Sequence, residues 1–191
     1  MPLDEVIKAF REFIARDLVF IISGAVVVGT FLHIFKRVPE PNDSWVLFAL
    51  LAGIAYFVAY AIQDTLCVFR VLPSAPVSNP GAFVRWMYKG LYRRQWTTIE
   101  REIELDEARH KVPPERQPEL ERLITLQQIG TAGGPCIFLS GVGFLVEWLQ
   151  SRSSFDFAVA VAGCAVGLVL VCLAWLRAAQ RAQFLATIAV D

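Results

Sequence analysis

The sequence predicts an all-α integral membrane protein with four transmembrane helices, an N-terminal interfacial amphipathic helix and a short helical cytoplasmic segment between spans two and three. Three observations lead there. Four stretches lack Asp, Glu, Lys and Arg: Leu18 to Phe35, Trp45 to Gln63, Leu123 to Val146 and Phe157 to Leu176. Each reaches the roughly 18 to 24 residues that a helix needs to cross a ~30 Å hydrocarbon layer at about 1.5 Å per residue. The composition is 55% hydrophobic against 19% charged, which suits a chain with lipid in place of water around most of it. Finally, the charges are sorted along the chain although they sum to zero.

On the four-span arrangement, fifteen of the eighteen Lys and Arg residues fall on one side and only Lys36, Arg37 and Arg152 on the other. Positive loops stay cytoplasmic. Both termini and the central segment are therefore expected inside, in a bacterial inner membrane, with two short outside loops near 36–44 and 150–156. The natural units are residues 1–66 (amphipathic helix and first hairpin), 67–122 (cytoplasmic segment) and 123–191 (second hairpin and tail).

Taken in order, residues 3–16 place Val6, Ile7, Phe10, Phe13 and Ile14 at helical spacing among Lys8, Arg11 and Glu12. That pattern fits a helix lying on the inner leaflet, with a cytoplasmic extension of span one as the alternative. The acidic residues before the first apolar run, and the lack of a small-x-small exit, mark a retained span and not a signal peptide. Span one carries Ser23, Gly24, Ala25 and Gly29 as an expected face of small residues. Span two has Ala49/Gly53 and Ala55/Ala59, and span four has Gly163/Gly167. Small residues four apart let helix backbones approach closely, and in lipid such packing drives association. A tight bundle that self-associates is expected.

The central segment divides by sign. From Arg70 to Arg94 there are basic residues and no acidic one. Pro73, Pro76 and Pro80 read as a stiff connector and not as a folded element. Beyond them, Arg85, Trp86, Lys89, Arg93 and Arg94 belong to a basic-aromatic helix suited to the lipid headgroup layer. The stretch 83–96 could contact nucleic acid, but its place between two spans makes lipid the simpler partner. Thr97 and Glu100 match a capping box opening an acidic helix that ends before Pro113. Glu100, Glu104 and Glu107 share one face of it and are the expected contact for a cytosolic protein partner. A further helix near 115–129 is expected to run on into span three.

Gly130, Gly133, Gly134 and Pro135 should weaken that span. Two explanations stay open: helix packing around a Pro kink, or released carbonyls lining a pore. Ser140 lacks the glycine two positions before it that a nucleophile elbow needs. His33 and His110 lie on opposite sides. Cys67, Cys136, Cys164 and Cys172 form no CxxC pair, and no phosphate-binding loop occurs. No cofactor, metal or catalytic residue is expected.

Two spans, a loop and two more spans resemble, in topology alone, the stator-type proton-channel subunits of flagellar motors and energy-transducing complexes. Those families have a very large loop and a small-residue and Pro pattern across both late spans, whereas this loop is modest, so no family is assigned. The function expected is a non-enzymatic oligomeric membrane subunit that docks a cytosolic partner, in the manner of a sensor or effector of a bacterial defence or signalling system. An oligomeric channel gated by the central segment is the alternative, and a small membrane enzyme or transporter the second alternative.

Overall fold

A computed structural model of the chain describes residues 3–36, 45–77, 79–92 and 109–190. All regular structure among them is helical: α1 (Leu3–Ile34), α2 (Trp45–Val68), α3 (Ala82–Tyr92), α4 (Gln117–Gln128), a π-helical turn (Ile129–Gly133), α5 (Gly134–Ser151) and α6 (Ser154–Val190). Four stretches are long and apolar enough to cross a membrane: Asp17–Ile34, Trp45–Val68, Gln117–Ser151 and Ser154–Ile188.

The first departure from expectation is at the N-terminus. No turn separates an interfacial helix from span one, because α1 continues unbroken through its 32 residues. Neither glycine nor proline occurs between Leu3 and Ser23, so nothing interrupts the i to i−4 ladder there.

α1 packs along α2 and, in parallel, along α5; α5 packs antiparallel along α6. Phe20, Val27, Ala59, Ala132 and Cys136 form the core where α1, α2 and the π turn meet, with the Phe20 ring tilted against Tyr56 and Tyr60 at centroid distances of 5.6 and 5.9 Å. The small residues of α1 do not share one face. Ser23 and Gly24 are buried while Ala25 and Gly29 are exposed, since at about 100° per residue Gly24 and Gly29 point some 140° apart. A Cβ at Gly24 would collide with the Ala55 carbonyl, whereas one at Gly29 or Gly53 would meet nothing. Ala55/Ala59 is thus used inside the chain, and Ala49/Gly53 faces outward.

The turn between α5 and α6 sets a long register. Arg152 adopts a left-handed conformation with φ 56° and its N–H donates to the Trp148 carbonyl. Its guanidinium lies 5.4 Å above the Trp148 ring. Ser153 Oγ accepts the Asp156 N–H at the start of α6, and the Ser151 hydroxyl donates to the Asp156 carboxylate at 2.7 Å. From this pivot the helices pair symmetrically: Gly141 meets Cys164, Phe138 meets Gly167 and Gly134 meets Val171. The same register carries Leu120 and Leu185 into one cluster beyond the charge-free runs 123–146 and 157–176, with Val112, Ala182 and Ile188. Arg116 sits 5.9 Å over the Phe184 ring there. α4 and the last third of α6 form a stalk on the bundle.

Two other helices also end on a cation with φ positive. Lys36 follows α1 at φ 53° and Arg70 follows α2 at φ 57°. At Arg70 the pattern is a Schellman motif, with Arg70 N–H donating to the Cys67 carbonyl and Val71 N–H to that of Leu66.

Candidate functional site: the collar at the stalk end

The π turn is where the bundle converges, because it touches α1, α2, α4, α5 and α6. Its origin is local. Pro135 cannot donate to the carbonyl four residues back and its ring would clash with it. A wider turn immediately before the proline displaces that carbonyl, so the helix continues through what the sequence suggested as a simple kink. Gly130 through Cys136 are all buried.

Four of the glycines singled out from sequence meet at one seam. A Cβ on Gly130 would lie 2.7 Å from the Leu170 oxygen, and one on Gly167 2.6 Å from the Phe138 nitrogen. Gly134 would place its Cβ 2.9 Å from a Val171 methyl, and Gly163 3.0 Å from Gly141 Cα. Backbone lies against backbone, so α5 and α6 leave no space between them for a passage at these levels. Gly133 points elsewhere, with Ser23 Oγ at 3.6 Å as its nearest neighbour across the α1 contact. Gly141, as closely packed as Gly167, was missed; its spacing of seven from Gly134 was the available signal. Ser140, beside it, is buried and its hydroxyl has no hydrogen-bond partner.

Around the stalk end runs a collar that sequence reasoning read as an unfolded connector. Leu72 is 2% exposed, and Pro73 and Pro80 are buried. Trp175 Nε1 donates to the Val71 carbonyl at 3.1 Å, Gln127 Nε2 to that of Pro73 at 3.0 Å, and Val77 N–H to that of Ala178 at 3.3 Å. Ala178, whose carbonyl takes the Val77 N–H, is 0% exposed, and its small side chain suits so close an approach of the chain to α6. Proline restricts the connector, but hydrogen bonds to α6 and α4 give it a fixed place.

The collar ends in α3, which has three faces. Val84 and Tyr88, one turn apart, are buried where α3 packs on α6. Phe83, Trp86 and Leu91 are exposed, the first two stacked at 6.0 Å. Arg85 folds back, donating from Nε to the Pro80 carbonyl and from Nη2 to Asn79 Oδ1, both at 2.7 Å. Lys89 is exposed. Arg177 Nη1 donates to the Tyr92 hydroxyl at 3.1 Å, fastening the end of α3 to α6. Arg93, Arg94, Glu100, Glu104 and Glu107 lie outside the described residues. So does the capping box; the chain is helical at Arg109 and His110 and leaves the helix at Lys111.

Among the described residues no group of three His, Cys, Asp or Glu side chains comes together. The four cysteines are free thiols, and Cys136 is buried. On α3 the exposed rings of Phe83 and Trp86 stand beside Arg85 and Lys89, on a helix fixed to α6. No protein-family model, curated protein or solved structure matches this chain. Its own geometry and chemistry carry any functional assignment.

Proposed function

We propose that the chain is a non-enzymatic, self-associating subunit of a bacterial inner membrane, with both termini cytoplasmic, that holds a cytosolic protein through its central segment. The stalk is the observation that supports this most. The last run free of charged residues ends at Leu176, yet α6 continues to Val190, a reach of about 20 Å at 1.5 Å per residue. α4 accompanies it with a hydrophobic cluster of its own. A chain whose work lay wholly within the bilayer would not need this extension. It brackets the acidic segment around Glu100, Glu104 and Glu107 between two anchored points, Tyr92 on α3 and Val112 on the stalk.

In this arrangement α3 lies at headgroup depth, with Phe83, Trp86 and Leu91 toward lipid and Lys89 toward phosphate. The outward faces of α2 and α6, among them Phe57, Ile54, Val161 and Leu168, are apolar. They suit lipid or a second copy; the exposed polar side chains of α2, Tyr60, Asp64 and Thr65, lie in its second half.

Two experiments test the proposal. Reporter fusions after Glu107 and at the C-terminus should be active only in the cytoplasm; periplasmic activity at either point rejects the orientation. Reversal of Glu100, Glu104 and Glu107 to Lys should abolish co-purification of a cytosolic protein while the thermal midpoint stays unchanged. Ion flux from liposomes holding the purified chain, insensitive to that reversal, would favour the channel instead.

A further inference from the structure

The segment that ends in α3 is held at the level where charge begins on α6. The run of α6 free of charged residues ends at Leu176. Trp175 Nε1 donates to the Val71 carbonyl, Arg177 Nη1 donates to the Tyr92 hydroxyl, and the Ala178 carbonyl accepts the Val77 N–H. Those three α6 residues span about 4.5 Å at 1.5 Å per residue. Residues 71–92 are therefore fastened at three points, all within one helical turn of that boundary.

The face that α3 turns away from α6 follows from its buried pair, Val84 and Tyr88. At about 100° per residue, Trp86 points opposite their midpoint, and Phe83 and Lys89 flank it at about 60° on either side. The two rings are 58% (Phe83) and 71% (Trp86) exposed and stacked on each other, and Lys89 is exposed. Val68 and Phe69, where α2 gives way to the collar, are exposed apolar residues too. From Arg70 to Arg94 the sequence holds Arg70, Arg85, Lys89, Arg93 and Arg94 without an Asp or Glu among them.

We infer that this face of α3 binds anionic phospholipids of the inner leaflet in preference to zwitterionic ones, with the Phe83 and Trp86 rings among the headgroups and Lys89 on the phosphates. The inference rests on the membrane placement proposed above and adds the sign of the lipid to it. Aromatic rings suit the interface of any bilayer. The sign comes from a cationic stretch that carries no carboxylate of its own, and each basic side chain near an anionic surface strengthens binding about fivefold. Arg85 contributes less than Lys89, because its guanidinium already donates to the Pro80 carbonyl and to Asn79. A soluble acidic protein would match the cations, but at the depth fixed by Trp175, Arg177 and Ala178 the rings adjoin the bilayer itself.

The test uses the full chain in nanodiscs of dioleoyl phosphatidylglycerol and, separately, of dioleoyl phosphatidylcholine, which has the same acyl chains and a phosphate but no net charge. Hydrogen exchange in residues 82–92 should be slower by about fivefold or more in the anionic discs, and the difference should close at high salt. Lys89→Gln with Arg93→Gln and Arg94→Gln should abolish the difference. Phe83→Ser with Trp86→Ser should speed exchange in both lipids; Trp86→Gln alone serves if circular dichroism shows the double variant unfolded. Equal exchange in the two lipids, a difference untouched by the charge variants, or exchange indifferent to the ring variants would overturn the inference. So would exchange slowed only when two chains share a disc, which assigns the face to a second copy. Alkaline extraction of membranes separates the two levels: a chain that stays in the membrane without a lipid preference refutes the lipid assignment alone, and a chain that is extracted refutes the membrane reading.

Discussion

One antiparallel helix pair, α4–α5 against α6, is built in two different ways along its length. Toward the Arg152 turn the seam consists of Gly134, Gly141, Gly163 and Gly167, with backbones in contact and outward side chains such as Val161 and Val169 left exposed. Toward the other end the seam consists of Leu120, Leu185 and Ile188, and α6 is covered on a second side by the collar. The register is common to both halves, yet the residues that hold it are not. In lipid, burying a large apolar side chain gains little over leaving it in hydrocarbon, so close backbone packing has to supply the attraction. In water the same burial is worth roughly 1.5 to 3 kcal/mol for a leucine-sized side chain. On the proposed membrane placement, the change from glycine to leucine along one seam follows a change of solvent along the hairpin.

Substitutions can break either half separately. Gly167→Leu should be the most damaging, by about 3 kcal/mol or more, because the obstruction is the Phe138 backbone and cannot rotate away. Gly53→Leu, with open space around it, should leave the thermal midpoint in detergent unchanged; equal losses in the two variants would mean that the seam is not the α5–α6 contact described. Leu185→Ala should cost about 2 to 3 kcal/mol through the cavity it leaves, and accelerated hydrogen exchange should be confined to α4 and the end of α6. Exchange spreading to α1 and α2 would show that the halves unfold as one. Trp175→Phe removes only the donor to Val71 and should cost about 1 kcal/mol, read as earlier proteolysis in residues 71–80. The smallest effect is expected at Arg152→Gly, within about 0.5 kcal/mol of zero. There the relief of a left-handed non-glycine residue offsets a lost cation–π contact of similar size.

The four apolar helices and the run of α4 into span three were legible because hydropathy and charge report solvent directly. The faces were less so. Ser23 and Gly24 read together with Ala25 and Gly29 as one small-residue surface, but composition within a span does not say which side of the helix a neighbour will take. The collar was hidden for a related reason: prolines at 73, 76 and 80 describe the connector's own stiffness, while its place depends on Trp175, Gln127 and Ala178, which come 54 or more positions after the residues they hold. The π turn follows from Pro135 itself, but a proline announces a disturbance without saying whether the helix will kink or widen. Glu100, Glu104 and Glu107, the residues proposed for docking, lie outside the described residues.

The cations that end α1 and α5 bear on how topology is encoded. Lys36 and Arg152 are two of the three positive residues assigned to the sparsely charged side, and each stands at a left-handed position just past a helix C-terminus. There a positive side chain faces the negative end of the helix dipole, an attraction of about 0.3 to 1 kcal/mol. They therefore have a local reason to be basic that is independent of which loop is translocated. On the proposed orientation, setting all three helix terminators aside, Arg70 included, leaves Arg37 alone against fourteen Lys and Arg residues on the other side.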